Sequence, residues 1–241
     1  MNSAQLYQSL VTALEKAGEA SPYSADANET DPRYRAYGVR MPGRKAIFKN
    51  HKPSLRQLSI DAQIDLAERL IESGWGEQQT VGLYILQPLA KKYFPPETFV
   101  RIDGWMRHLH GWSKVDEFAG TFLRDILFVH PNELLEWVRA WNQASDMWLR
   151  RMSVVVFTRK VAKSGRFTDV ALEMCHNLIY AEEDLVQKGV GWALKDLMKA
   201  DKDRVLSYVR QLRNDSVSST ITLYAIRDLK GQERKDFLEG I

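Results

Sequence analysis

The chain has 241 residues, 44% hydrophobic and 27% charged, a globular composition with material for one large domain or two small ones. Its formal charge of +3, from 34 basic against 31 acidic residues, permits a nucleic-acid partner without demanding one. No apolar run approaches the roughly eighteen residues of a membrane span, Met1–Leu6 lacks a leader pattern, and the single cysteine, Cys175, excludes an internal disulfide, so a cytoplasmic protein without membrane association is expected.

Periodicity near 3.6 predicts helices over 3–18, 54–73, 76–93, 96–109, 112–128, 131–142, 146–163, 167–180, 183–199, 202–212 and 216–238. Breaks are expected at Pro53, Gly74–Gly76, Pro95–Pro96, Pro131, Gly165 and Asp201. Residues 19–52, rich in Pro, Gly, Ser, Asn and Asp, read as a long loop carrying one short helix around 43–50. No run alternates at period two, so the expected class is all-α. Eleven helices are too many for a four-helix bundle. Their arrival in pairs, with Trp112, Trp148 and Trp192 about one pair apart, points to helical repeats stacked as a curved solenoid with a basic concave face. A single repeat domain over 1–241 is expected.

Two tryptophans stand apart from the core pattern. Trp112 and Asp116 are four residues apart on a predicted helix and share a face. In Gln187–Lys195 the apolar stripe is Val186, Val190, Ala193, Leu194 and Leu197, which leaves Trp192 on the other side with Lys188, Lys195 and Lys199. An aromatic ring among lysines suits a nucleic-acid surface, and a carboxylate near an indole suits a developing positive charge. Each has a plainer alternative. Asp116 can be an acid of the first helical turn, favoured by the helix dipole by ~0.3–1 kcal/mol. Trp112 can pack under a neighbouring repeat, and Trp192 can bury against a flanking one. Arg151 has Met147, Val154 and Val155 on its helical face, so its guanidinium needs an anion, either an internal carboxylate such as Asp116 or a phosphate. Arg159, Lys160, Lys163 and Arg166 follow near that helix's end, where cations are favourable anyway.

Other chemistries find little support. His108 and His110 diverge on a helix with no third ligand nearby, so no metal is expected. Cys175-His176 sits in a core-like helix, unsuited to a thiol nucleophile. Gly189-Val190-Gly191 lies inside a helical pattern without the strand that precedes a phosphate loop.

With Trp112-x3-Asp116, Trp148-Leu149-Arg150-Arg151 and Gly191-Trp192 in this order, the chain resembles the DNA alkylation repair enzymes of the AlkD type. These are alkylpurine DNA glycosylases built from HEAT-like repeats of the ARM/HEAT superfamily. The likeness runs from about Tyr34 to about Leu238, and Gly38-Val39-Arg40-Met41-Pro42-Gly43-Arg44-Lys45 looks like the family's Gly-hydrophobic-x-x-Pro segment with its basic residues. The resemblance implies a catalytic Asp116 flanked by Trp112 and Trp192, and DNA contacts from Arg151 and Arg159. Lys188, Lys195, Arg44 and Lys45 complete the expected footprint. The family's doubled tryptophan is Gly111-Trp112 here.

The expected function is therefore excision of positively charged purines of the 3-methyladenine and 7-methylguanine type. The expected partner is double-stranded DNA containing alkylated bases, engaged by a monomer without cofactor, in the cytoplasm at the nucleoid. The competing class is a catalytically inactive helical-repeat scaffold binding DNA or protein. It has no reason to place a carboxylate between two indoles.

Overall fold

The computed structural model describes residues 1–23 and 31–240. Among these every regular element is helical, apart from an isolated bridge between Arg35 and Trp75. No described helix is long and apolar enough to cross a membrane. The expectation of a single repeat domain stands beside a division of the chain contacts into two compact units, Met1–Pro131 and Asn132–Ile241.

The first unit contains α1 (Ser3–Glu19), α2 (Met41–Leu55), α3 (Ile60–Glu72), α4 (Gly76–Leu86), α5 (Phe99–Met106), α6 (Trp112–Phe118), a π turn (Ala119–Leu123) and α7 (Arg124–Val129). Local chemistry starts these helices. Asn2 and Gln5 form a capping box on α1, and Ser59 caps α3 through the amide of Ala62. Helix α4 is the centre of the unit, buried along nearly its whole length, so even Glu77, Gln78, Gln79 and Thr80 are inside. Those polar groups become ties to other segments. The Glu77 carboxylate accepts the backbone N–H groups of Tyr37, Gly38 and Val39, each at 3.0 Å. Gln78 donates to the Tyr37 hydroxyl at 2.7 Å, and Gln79 donates to the carbonyls of Ile71 and His108.

The second unit contains α8 (from Pro131 to Asn142), α9 (Met147–Val155), α10 (Lys160–Ser164), α11 (Thr168–His176), α12 (Asp184–Leu197), α13 (Lys202–Asn214), α14 (Ser219–Ala225) and α15 (Gly231–Glu239). Helix α12 is its centre, packed against α9, α14, α11, α10 and α13. Two interior glycines, each costing ~1 kcal/mol of helix propensity, make this possible. A Cβ on Gly189 would sit 3.3 Å from Val154 of α9, and one on Gly191 only 2.7 Å from the Tyr224 Cβ and 2.8 Å from the Ile221 carbonyl of α14.

Several expected boundaries move. The short helix at 43–50 inside a loop is instead α2, which runs through Pro53 because a proline in a last turn forfeits a single i→i−4 bond. Residues 24–30 of the expected 19–52 loop lie outside the described residues. The helix expected over 76–93 ends at Leu86 and tightens into i→i−3 turns, as in the bond from the Leu89 amide to the Leu86 carbonyl. The helix expected over 112–128 is found, running without a break from Trp112 to Val129 and passing through π geometry at Ala119–Leu123. That over 146–163 is cut at Arg159, whose φ of 56° and ψ of −117° cannot continue a helix, and that over 216–238 at extended Lys230 and at Gly231, with φ of 56°.

Gly191→Ala tests the close packing of α12 on α14. The added methyl forces the helices apart, and urea denaturation should show a loss of about 1–3 kcal/mol. A variant as stable as wild type would mean that α14 shifts freely.

Candidate functional site

In the first unit, α6 carries two of the sequence-predicted residues, Trp112 and Asp116. Gly111, at φ 98° and ψ 136°, occupies a backbone region closed to tryptophan, so the glycine preceding Trp112 is structurally required here. Trp112 is the first helical residue and half-buried, and Asp116, 7% exposed, follows one turn later on the same face. Asp116 is thus beyond the first turn, and the plain reading of it as a dipole-stabilised first-turn acid does not hold. It is a buried carboxylate near the end of a short helix, just before a π turn.

The other side of α6 holds a residue that the sequence reading passed over. Lys114 is 2% exposed and donates to the Thr80 hydroxyl and, at 2.7 Å, to Glu117. Thr80 in turn donates to Glu117 at 3.0 Å. Burial pulls the Lys114 ammonium below its usual pKa, against the opposing pull of Glu117. Arg44 joins this cluster, donating to the Val39 carbonyl at 2.6 Å and to Thr80 at 3.4 Å, so its guanidinium turns inward, whereas Lys45 is exposed.

In the second unit, Trp192 is half-buried on α12 and its indole N–H donates to Asp196 at 3.0 Å. The guanidinium of Arg159, from the break between α9 and α10, lies over the same indole, 4.8 Å from the ring centroid. Asp196 is 1% exposed and also accepts the Arg159 backbone N–H at 2.7 Å, Lys199 at 2.7 Å and Lys195 at 3.2 Å. Burial alone would raise its pKa, but the hydrogen bonds from Lys199 and Arg159 and the charge of Lys195 prevail and lower it. Lys195 is drawn inward between Asp196 and Asp228; burial lowers its pKa, the two carboxylates outweigh that, and the net shift is upward. Arg151 is 5% exposed, donates to the Leu185 carbonyl, and runs beside Gly189. Lys188 is exposed and paired with Asp184 at 2.6 Å.

Each unit thus gathers part of the predicted set: Trp112, Asp116, Arg44 and Lys45 in the first, Arg151, Arg159, Lys188, Trp192 and Lys195 in the second. Asp196 was missed although a signal existed, since Trp192-x3-Asp196 repeats the spacing of Trp112-x3-Asp116. Lys114 and Glu77 carried no such signal, because charged residues in these patterns read as solvated. Cys175 is fully buried and its thiol is pushed up to about 12, unsuited to nucleophilic chemistry. Among the described residues no group of three or more His, Cys, Asp or Glu is placed to hold a metal.

The sequence matches the family described as DNA alkylation repair enzyme over residues 10–229. The fold is similar to a solved structure from Enterococcus faecalis, described as a predicted DNA alkylation repair enzyme, with a TM-score of 0.71 at 19% identity, covering 82% of this chain and 89% of that one. No curated protein matches the sequence.

The lowered pKa of Asp196 makes its contribution to stability pH-dependent. With the folded value below the ordinary 3.8, that contribution is complete above 3.8 and is lost as pH falls through the folded value. Urea denaturation of wild type and Asp196→Asn at descending pH should show their stability difference shrinking in that window. A constant difference would mean that the carboxylate charge is not what stabilises the unit.

Proposed function

We propose, for a chain that belongs to the DNA alkylation repair enzyme family, that it is an alkylpurine DNA glycosylase acting through Asp116. The observation that carries this reading is a 7%-exposed carboxylate one helical turn from a half-buried tryptophan, on a helix whose opposite side is anchored by Lys114 and Glu117. A base alkylated at N3 or N7 is already cationic and departs neutral, taking the electron pair of the N-glycosidic bond. The leaving group needs no general acid. The charge left on the sugar has oxocarbenium character, and Asp116 would stabilise it electrostatically and orient the water that adds to C1′, receiving that water's proton. Trp112, on the same helical face as Asp116, would line the cationic nucleotide, an aromatic contact worth ~0.5–2 kcal/mol. Arg159, Lys188 and Lys45, all exposed, supply the cations for backbone phosphates.

The test is release of free 7-methylguanine and 3-methyladenine from duplex DNA. Asp116→Asn should abolish most release while DNA binding persists. Release at the wild-type rate would remove Asp116 from the chemistry, and a wild-type protein that binds DNA without releasing base would favour the inactive scaffold. Separately, Lys188→Ala should weaken binding to any duplex sequence and flatten the salt dependence by about one unit; an unchanged slope would place Lys188 outside the footprint.

A further inference from the structure

We propose that Asp196 is a positioning residue for DNA engagement: its carboxylate locks Trp192 and Arg159 into a single plate, a guanidinium held on an indole, that receives a backbone phosphodiester. This rests on the glycosylase reading and assigns it a residue and a ligand class. The buried carboxylate reaches both parts of the plate at once, taking the indole N–H of Trp192 at 3.0 Å and the backbone N–H of Arg159 at 2.7 Å. The first bond fixes the rotation of the ring. The second holds a non-glycine residue at φ 56°, a conformation that costs on the order of 1–3 kcal/mol and persists only where its surroundings impose it. That turn is what carries the guanidinium over the ring at 4.8 Å. Lys199 at 2.7 Å and Lys195 at 3.2 Å occupy the remaining capacity of the carboxylate, so its charge is already paired within the unit and it presents no free anion to DNA.

The consequence for the ligand is direct. One face of Trp192 already bears a cation, so on that face the unit attracts an anion and not a cationic base. Arg159 is exposed, and a guanidinium stacked on an indole keeps its N–H edge free for the paired hydrogen bonds that phosphate oxygens accept. Preorganising that edge removes the entropy cost of ordering a long side chain on binding.

Charge alone makes the opposite prediction, which gives the test its sign. Removing an acid beside a DNA-binding surface strengthens binding if only charge matters. Binding of undamaged duplex DNA should be measured across salt concentrations for wild type, Asp196→Asn, Arg159→Ala and the double variant, with base release from 7-methylguanine DNA measured alongside. The expected result for Asp196→Asn is a roughly three- to tenfold loss of affinity and a salt slope flatter by about one, matching Arg159→Ala, with the double variant no weaker than Arg159→Ala alone. Wild-type or tighter binding by Asp196→Asn, or additive losses in the double variant, would overturn the proposal while leaving the glycosylase reading intact. Trp192→Phe keeps an aromatic ring and deletes the indole donor, so it carries the test should Asp196→Asn fail to fold. It should weaken binding in a folded protein, and unchanged binding overturns the proposal. In nuclear magnetic resonance spectra the Trp192 indole N–H signal, identified by its loss in Trp192→Phe, should shift in Asp196→Asn but stay in place in Lys188→Ala. A signal indifferent to Asp196 also overturns it. A wild-type protein that neither binds duplex DNA nor releases base refutes the glycosylase reading, and the phosphodiester assignment falls with it.

Discussion

An all-helical chain satisfies its backbone N–H groups within helices and leaves them exposed wherever a helix breaks. When such a break is buried, each uncapped N–H costs on the order of 1–3 kcal/mol, so the fold depends on something to receive it. Each unit answers with a buried carboxylate on its central helix. In the first, Glu77 takes the amides of three consecutive residues, 37–39, and thereby fastens the segment leading into α2 onto α4. In the second, Asp196 takes the amide of Arg159 and fastens the break between α9 and α10 onto α12. A carboxylate is suited to this because its two oxygens accept several donors at once.

Buried charge also decides how α6 presents its other side. At about 100° per residue, Trp112 and Asp116 project within about 40° of each other and Lys114 projects nearly opposite. The ties from Lys114 and Glu117 to Thr80 of α4 therefore fix the rotation of α6 about its axis. An ion pair of this kind adds little net stability, because desolvation offsets the attraction. Its structural effect is orientation: it sets the direction in which Trp112 and Asp116 project.

Close approach does for α12 what buried charge does for α6. Gly189 faces α9 and Gly191 faces α14, so the helix is gripped from two directions by neighbours that any larger residue would push away. Trp192 follows directly after the tighter of these contacts and is left half-buried, with Asp196 one turn further on. The Gly191-Trp192 pair combines two requirements: the glycine sets the helix position, and the tryptophan uses the edge so created.

Much of this could be read from residue order. Helical periodicity, punctuation by Gly and Pro, and the absence of alternation determine an all-helical protein, because period and backbone stereochemistry are local properties. The Trp112-x3-Asp116 spacing and the position of Trp192 off its apolar stripe marked α6 and α12 for the same reason: a given number of residues along a helix is a fixed angular offset. Three matters were decided only in three dimensions. Helix breaks such as that at Arg159 depend on a partner 37 residues away, Asp196, to hold a conformation that local propensity forbids. The continuation of α2 through Pro53 depends on where that proline falls in the finished helix. The burial of Lys114, Glu77 and Asp196, and with it the inward turn of Arg44 and Lys195, depends on donors and acceptors from distant segments converging on one point. Periodicity places a charged residue on a face, but only the fold determines whether that face meets water or a partner.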